Sequence, residues 1–291
     1  MTRIAFIGIG AMGEPMVANL LKKGLPVTVV KRSRPEPAAR LQALGAKIAG
    51  TAADAANGCD ILVLCLPSSR EVEATVDGLM TSLAAGAVVV DCSTSNPGST
   101  RRLAALLAGR KVGMVDAGLT RGVPGAKQGT LAFFLGGEQA HIEQAMPALQ
   151  AMGDTFIRLG PVGHGHTAKI ISNVLSYGTV ALVNEALMLG GRSGVDPKKL
   201  FDALMQGAPS KALEAFGPRI LSGEYDPPRV TVDHVCDDML LAQELATGGT
   251  APVFMLGVAQ EVYRLLALRG HGARDISAIG ELWRAAGQPP R

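Results

Sequence analysis

The chain has 291 residues, of which 47% are hydrophobic and 18% charged, enough apolar material for one large or two ordinary globular domains. Its formal net charge of +3 is spread along the sequence without a basic stripe, so neither nucleic acid nor a membrane surface is expected as a partner. A content of 36 glycines with few aromatic residues is typical of an α/β protein with many tight turns.

The four cysteines form no CxxC pair, and we expect no secretory leader before them. This pattern predicts reduced thiols and a cytoplasmic location, and we expect no metal site. The longest apolar runs, such as 61–67 and 87–90, are too short to cross a bilayer and indicate buried strands of a soluble protein.

Short apolar runs alternate with helical patterns through the first 160 residues. The runs predict strands over 4–7, 27–30, 61–66, 88–91, 112–116 and 131–135. Because this rhythm is typical of βαβ units around a mainly parallel sheet, we expect a Rossmann-type, doubly wound α/β domain over residues 1–162.

The strand signals stop after Gly160-Pro161-Val162-Gly163. Residues 167–192 contain no proline and predict one helix that is long for a globular domain. Gly and Pro punctuation predicts further helices near 198–206, 210–222, 234–246 and 253–269. We therefore expect residues 163–291 to form an all-helical substrate domain, which begins with a long interdomain helix and supports a homodimer or homotetramer through that helix.

The first predicted strand runs directly into a glycine-rich turn that precedes a helical pattern. The turn reads Gly8-Ile9-Gly10-Ala11-Met12-Gly13, the GxGxxG fingerprint of dinucleotide binding in its required context. In such a turn the first glycine permits the tight bend, the second lets a pyrophosphate approach, and the third lets the helix pack on the strand. We expect the cofactor to contact Gly8, Gly10, Ala11, Met12 and Gly13.

The residues after the second predicted strand discriminate between the two nicotinamide cofactors. An acidic residue here would hydrogen-bond the free 2′-hydroxyl of NAD(H), but the sequence reads Lys31-Arg32-Ser33. Two cations and a hydroxyl suit the dianionic 2′-phosphate of NADP(H) through charge-assisted hydrogen bonds. The sequence therefore predicts a preference for NADP(H), with NAD(H) as the second choice.

Further blocks extend the glycine fingerprint along the chain. They are Cys65-Leu66-Pro67, Asp91-Cys92-Ser93-Thr94, Gly129-Thr130-Leu131 with Gly136-Gly137, Gly160 to Gly165 leading to Lys169 and Asn173, and the segments 269–272 and 275–277. In combination these blocks resemble the β-hydroxyacid dehydrogenase family, which includes 3-hydroxyisobutyrate dehydrogenase and tartronate semialdehyde reductase. The resemblance covers essentially the whole chain.

The resemblance implies that Lys169 is the general acid/base and that Leu66, Pro67 and Thr94 line the cofactor. Spacing supports the first assignment independently, because the predicted long helix puts one polar set on a single face: Lys169, Ser172, Asn173 and Ser176. We expect the lysine ammonium to donate a proton as hydride reaches a carbonyl carbon, while the asparagine holds the geometry.

One block departs from the family pattern in the region that binds the substrate carboxylate. The usual Asp-Ala-Pro-Val-Ser-Gly-Gly reads Asp-Ala-Gly-Leu-Thr-Arg-Gly over residues 116–122. Arg121 resembles the arginine that holds a sulfonate in sulfolactaldehyde reductase, a pattern that Ser176 fits and Ser172 does not. Two alternatives stay open: Arg121 clamps a sulfonate, phosphonate or second carboxylate, or it points outward from the loop. The substrate candidates are Ser93, Thr120, Arg121, Gly122, Ser172 and Ser176.

A second departure is Asp237, which stands where the family usually has a lysine that reaches the bound cofactor and substrate region. We count it among the cofactor-binding candidates. The reversed charge permits another polar group in the pocket, an ion pair with a cation such as Arg121, or a lower affinity for simple hydroxyacids.

The leading interpretation is an NADPH-dependent oxidoreductase that interconverts a small anionic aldehyde or keto acid and its hydroxyacid. The alternatives are a reductase of sulfolactaldehyde or another dianionic aldehyde, an imine reductase, and a non-catalytic cofactor-binding protein. Imine reductases of this shape usually carry aspartate or tyrosine at the position of Lys169. A 6-phosphogluconate dehydrogenase would need a far longer helical domain.

Overall fold

The computed structural model describes residues 2–30, 35–249 and 252–284. Contacts divide the chain into two compact units, Met1–Lys169 and Ile170–Arg291. The division between 169 and 170 falls inside the long helix rather than before it, whereas the boundary predicted from the sequence lies between 162 and 163.

Eight strands form a single sheet in the first unit. They are β1 Ile4–Ile7, β2 Val27–Val30, β3 Lys47–Ala49, β4 Ile61–Leu64, β5 Val88–Asp91, β6 Gly113–Thr120, β7 Leu131–Gly137 and β8 Gly153–Gly160. The strand order is β3-β2-β1-β4-β5-β6-β7-β8, and every neighbouring pair is parallel except β6 and β7. The chain reverses its direction of winding between β1 and β4, which confirms the Rossmann-type, doubly wound fold.

Helices connect the strands of the first unit: α1 Gly13–Lys22, α2 Glu36–Ala43, α3 Ala52–Ala56, α4 Ser69–Leu79, α5 Pro97–Ala108, α6 Gly122–Gln128 and α7 Gln139–Met152. Successive residues of β4 belong alternately to two apolar clusters, one on each face of the sheet. A strand buried on both faces needs apolar residues at every position, which is why the central strands were readable as continuous runs.

Two strands, β3 and β8, were not predicted. β3 has three residues, too few for a periodic signal, and lies at one edge of the sheet. β8 lies at the other edge, and its second half is exposed to solvent, so it mixes charged and apolar residues. Edge strands lack the double burial that makes a central strand recognisable.

The second unit consists of helices in the part of it that the structure describes, with one isolated bridge between Thr231 and Asp275. The helices are α8 His164–Arg192, which begins in the first unit, α9 Pro197–Gly207, α10 Lys211–Ser222, α11 Val232–Gly248 and α12 Phe254–Leu266. A π turn over Ala267–His271, a 3-10 turn over Ile276–Gly280 and the short α13 Glu281–Arg284 complete it. All five predicted helices are confirmed, with small shifts in their ends.

The long helix α8 has the length and composition of a membrane-spanning helix, although no run within it was long enough to suggest one from sequence. Mostly buried core helices of soluble proteins can have the same length and composition, whereas a third of the most apolar window of α8 is buried. One face contributes Ile170, Tyr177 and Val180 to the core of the second unit. Leucines on another face are exposed.

Candidate active site

The glycine turn after β1 has the geometry that its sequence predicts. Gly8 has a φ of +107°, and a Cβ there would lie 2.0 Å from the Cys65 carbonyl oxygen. A Cβ on Gly13 would lie 1.9 Å from the Gly8 carbonyl oxygen. Gly10, by contrast, is exposed and has no heavy atom within 4 Å of where its Cβ would be.

The turn therefore leaves open space beside Gly10 at the N-terminus of α1, where free backbone N–H groups favour an anion. Ala11 is exposed and Met12 is half-buried at this point, immediately before the first residue of α1. The residues present fit the pyrophosphate of a dinucleotide, because a side chain at Gly10 would fill the space that the phosphates need.

The turns after β4 and β5 are joined by a buried hydrogen bond. Leu66 N–H donates to Ser93 Oγ at 2.9 Å, and Ser93 N–H donates to Asp91 Oδ1 at 2.9 Å. Ser93 is buried, so its hydroxyl links these two turns, and its role in substrate binding stays a prediction. Pro67 is exposed and Thr94 half-buried in the same turns, at the carboxyl ends of the strands where open α/β sheets bind ligands.

The start of α8 is fixed to the sheet by the carboxylate of Asp116, which is fully buried on β6. Its Oδ1 accepts a hydrogen bond from Gly163 N–H at 2.7 Å, and its Oδ2 accepts one from His166 N–H at 2.8 Å. A carboxylate here satisfies unpaired N–H groups of the helix and interacts favourably with its dipole.

The glycine blocks around this carboxylate have a steric cause. A Cβ on Gly136 would lie 2.5 Å from Asp116 Oδ1, and one on Gly165 would lie 2.4 Å from the Phe134 carbonyl oxygen. Only glycine leaves room for the first turn of α8 to approach β6 and β7 this closely. The sequence contained these residues, but their mutual packing joins segments too far apart for a local pattern to reveal.

His166 was missed by the sequence analysis. Its side chain is fully buried, with Nδ1 2.8 Å from Thr100 Oγ1 and Nε2 3.2 Å from the Asp91 carbonyl oxygen. It thereby ties the first turn of α8 to α5 and to the end of β5. The signal available in the sequence was its place three residues before Lys169.

Lys169 follows on the next turn of α8 and is half-buried. A Cβ on Gly118 would lie only 2.6 Å from the Lys169 Cβ, so the helix packs directly on β6 at this point. Gly118 stands where the resembled family has proline, and its lack of a side chain permits the close approach. Lys169 is thus carried by a helix whose start is anchored at several buried points.

Asn173 lies one turn beyond Lys169 and is buried. Its Nδ2 donates a hydrogen bond of 2.7 Å to Oδ2 of Asp238, which also accepts 2.9 Å from the Tyr177 hydroxyl. Of the two serines predicted on this face, Ser172 is half-buried and Ser176 is exposed. Their contact with substrate stays a prediction.

Two family models together match nearly the whole chain. Residues 3–160 match the NAD-binding domain of 6-phosphogluconate dehydrogenase, and residues 163–283 match the NAD-binding domain of NADP-dependent 3-hydroxyisobutyrate dehydrogenase. The chain belongs to the β-hydroxyacid dehydrogenase family. It is therefore a nicotinamide-dependent oxidoreductase of the class that acts on the CH–OH group of hydroxyacids.

Relatives extend over the full length of the chain. An NAD-dependent L-serine dehydrogenase from Pseudomonas aeruginosa is 35% identical over 97% of this chain and 98% of its own. A 2-(hydroxymethyl)glutarate dehydrogenase from Eubacterium barkeri is 32% identical over 97% of this chain and 94% of its own. The structure of a Mycobacterium tuberculosis 3-hydroxyisobutyrate dehydrogenase with L-serine has a TM-score of 0.90 at 26% identity, covering 98% of this chain and 99% of that one.

Arg121, which replaces a glycine of the family pattern, is held by residues of its own unit. Its Nη1 donates to the Thr130 carbonyl oxygen at 2.6 Å and to Asp154 Oδ1 at 2.7 Å, and its Nη2 donates to Thr155 Oγ1 at 3.0 Å. Asp154 is the carboxylate that pairs with this guanidinium in the structure, and the suggested ion pair with Asp237 stays a prediction. The neighbours of Arg121 in the turn are the half-buried Thr120 and the exposed Gly122.

Asp237, where the family usually has lysine, is exposed near the start of α11. Partial burial raises its pKa, His234 opposes that effect, and the nearby carboxylates of Asp238 and Asp233 raise it further. Contact between Asp237 and the cofactor stays a prediction. The cofactor residues Lys31, Arg32 and Ser33 lie outside the described residues.

Proposed function

We propose that this chain is an NADPH-preferring dehydrogenase that interconverts a small aldehyde or keto acid and its hydroxyacid, with Lys169 as the general acid/base. The observation that carries the proposal is the arrangement on α8. The helix begins at the buried carboxylate of Asp116 and carries Lys169 and Asn173 one turn apart on one face. A lysine carried by a helix that is anchored in this way supports a role in proton transfer.

The cofactor supplies the hydride when bound, and the chain handles the proton. In the reducing direction the Lys169 ammonium donates a proton to the substrate oxygen as negative charge builds there, and the lysine becomes a neutral amine. In the oxidising direction the neutral amine takes the proton from the substrate hydroxyl. Asn173, held by Asp238, orients the groups that surround this transfer.

The preference for NADPH rests on the residues after β2. Lys31 and Arg32 supply positive charge and Ser33 a hydroxyl, a set suited to a 2′-phosphate. The L-serine dehydrogenase relative is named as NAD-dependent, whereas the family model over residues 163–283 is named for an NADP-dependent enzyme. Because residues 31–33 include no acidic residue, the sequence favours NADP(H).

The proposed substrate is a small hydroxyacid, or its aldehyde or keto acid, with at least one carboxylate. The named activities of the relatives concern serine, 3-hydroxyisobutyrate and 2-(hydroxymethyl)glutarate. Arg121 was the main reason to consider a sulfonate or other dianionic aldehyde, and its pairing with Asp154 engages the guanidinium elsewhere. A substrate that placed a second anionic group on Arg121 would have to draw the guanidinium away from that carboxylate.

All four cysteines are free thiols, and burial raises the pKa of Cys59 to about 11 and of Cys65 to about 12. Protonated, buried thiols are poor nucleophiles, so they take no part in the proposed chemistry. Free thiols also support the proposal that the protein works in a reducing cytoplasm.

Initial rates test the proposal. The purified chain is assayed at 340 nm with L-serine, 3-hydroxyisobutyrate and 2-(hydroxymethyl)glutarate, each with NADP⁺ and NAD⁺, and with a sulfonated aldehyde and NADPH. We expect turnover of at least one hydroxyacid, with kcat/KM higher for NADP⁺ than for NAD⁺. No turnover with any compound would overturn the assignment, and equal kcat/KM for the two cofactors would overturn the NADPH preference alone.

A further inference from the structure

Asp238 is a buried acid for which neither the glycine fingerprint nor the spacing of α8 provides a role. It is 3% exposed on α11, and its Oδ2 accepts hydrogen bonds from Asn173 Nδ2 at 2.7 Å and from the Tyr177 hydroxyl at 2.9 Å. Both donors lie on α8, on consecutive turns. His234 Nε2, one turn earlier on α11, lies 3.5 Å from the same oxygen.

The chemistry of this contact fixes which way the Asn173 amide points. An ionised carboxylate has no hydrogen to donate, so the amide must turn its NH2 group toward Asp238. The amide is planar, with oxygen and nitrogen on opposite sides of the terminal carbon, so Oδ1 is directed away from Asp238. The orientation thus follows from donor and acceptor chemistry and not merely from the shape of the side chain.

Tyr177 reinforces this arrangement. Burial, together with the nearby charge of Asp238, raises the pKa of Tyr177 well above its usual range, so its hydroxyl stays protonated. A protonated phenol donates its hydrogen to the carboxylate, so the Tyr177 hydroxyl and the Asn173 NH2 group both act as donors to Asp238. Two donors directed at one buried oxygen stabilise the charged acid in place.

We propose that Asp238 is a positioning residue: it holds the Asn173 amide so that Oδ1 acts as a hydrogen-bond acceptor for the Lys169 ammonium one turn earlier on α8. This inference rests on the proposed role of Lys169 as acid/base. An acceptor at i+4 restrains the flexible lysine and leaves its other hydrogens for the substrate oxygen. Asn173 therefore positions the Lys169 ammonium through its side-chain oxygen, and Asp238 does so indirectly, by orienting Asn173.

The neighbouring Asp237 differs from Asp238 in burial and in its match to the family pattern. Asp237 is exposed and departs from the family pattern, whereas Asp238 is buried and corresponds to the aspartate of the family's Lys-Asp-Leu block. Only the second faces Asn173. The charge reversal at 237 therefore leaves the proposed positioning contact intact.

Kinetics of a double-mutant cycle test the proposal. Asp238→Leu removes the acceptor at similar volume, and we expect kcat to fall about 10- to 100-fold, the scale of losing a charge-assisted hydrogen bond. Asp238→Asn keeps an oxygen acceptor and should recover most of that loss. In an Asn173→Ala background, Asp238→Leu should lower kcat by less than about twofold, because residues that act as one unit are not additive.

Tyr263→Phe is the matched control, since it removes another buried hydrogen bond of the same core, from the Tyr263 hydroxyl to the Tyr177 carbonyl oxygen at 2.9 Å. It should lower thermal stability and leave kcat near the wild-type value. Additive effects of Asp238→Leu and Asn173→Ala on kcat would overturn the proposal, as would a wild-type kcat in folded Asp238→Leu.

An NMR measurement keeps the inference testable if Asp238→Leu does not fold or the wild type proves inactive on the panel above. In protein labelled with ¹⁵N-asparagine, the Asn173 side-chain NH2 signal, assigned by its loss in Asn173→Asp, should exchange slowly with solvent. It should exchange faster in Asp238→Asn, where the acceptor is neutral. Fast exchange in the wild type would overturn the assigned orientation, whereas slow exchange with no turnover would count against the proposed function alone.

Discussion

Arg121 occupies a backbone conformation that glycine adopts more readily, with a φ of +77°. Its side chain is about half exposed and pairs with an equally exposed Asp154. An exposed ion pair contributes little to stability, so this pair compensates at most partly for the left-handed backbone. In the structure the guanidinium joins the turn before α6 to β8, and on that contact we propose the outward alternative.

Arg121→Gly should therefore leave kcat/KM within about threefold of the wild type for both monoanionic hydroxyacids and sulfonated aldehydes, since no substrate contact is lost. Glycine relieves the left-handed backbone while the ion pair disappears, so the melting temperature should change little. Asp154→Asn is the control, because it breaks the same pair without altering the backbone. A drop of about 10- to 100-fold for sulfonated or dianionic aldehydes would instead show that Arg121 binds the substrate.

At the scale of elements, α8 makes different contacts at its start, along its buried face and along an exposed face. Its first turns are anchored through Asp116 and His166, and its buried face packs in the core of the second unit. An exposed face carries apolar side chains at spacings of four, seven and seven residues: Ile171, Leu175, Leu182 and Leu189. Three leucines seven residues apart form the kind of stripe that pairs helices.

We propose that a second copy of the chain covers this stripe, giving a homodimer or, through a further interface, a homotetramer. Leu182→Glu puts a charge in the middle of the stripe and should shift the assembly toward monomer, measured by light scattering at micromolar concentration. Leu44→Glu, at an equally exposed leucine after α2, should leave the assembly unchanged. A monomeric wild type, or a Leu182→Glu variant that assembles like it, would contradict the proposal.

At the scale of the whole molecule, the sequence was sufficient to predict the parallel strands at the centre of the sheet and the order of the helices. Central strands buried on both faces and helices bounded by Gly and Pro leave local patterns, whereas the edge strands β3 and β8 do not. The glycine turn was predictable residue by residue, because Gly8 and Gly13 each meet a steric limit and Gly10 leaves open space.

The support of the site was less predictable, because it depends on contacts between distant residues. Asp116 contacts the start of α8, and His166 contacts β5 and α5, across separations of 47 to 75 residues. On α11 the sequence directed attention to Asp237 because its charge was unusual, while the acid that contacts Asn173 is its neighbour Asp238. Family departures are visible in a sequence, but burial and partner choice are not.

The activity of Lys169→Ala tests the central claim most directly. With the best hydroxyacid from the panel, we expect kcat to fall about 10²- to 10⁴-fold, the usual contribution of a general acid/base, while the Kd for NADPH measured by fluorescence stays within about threefold. Lys199→Ala, at an exposed lysine of α9, should retain wild-type turnover. Wild-type kcat in Lys169→Ala would contradict the account, because another group would then have to transfer the proton.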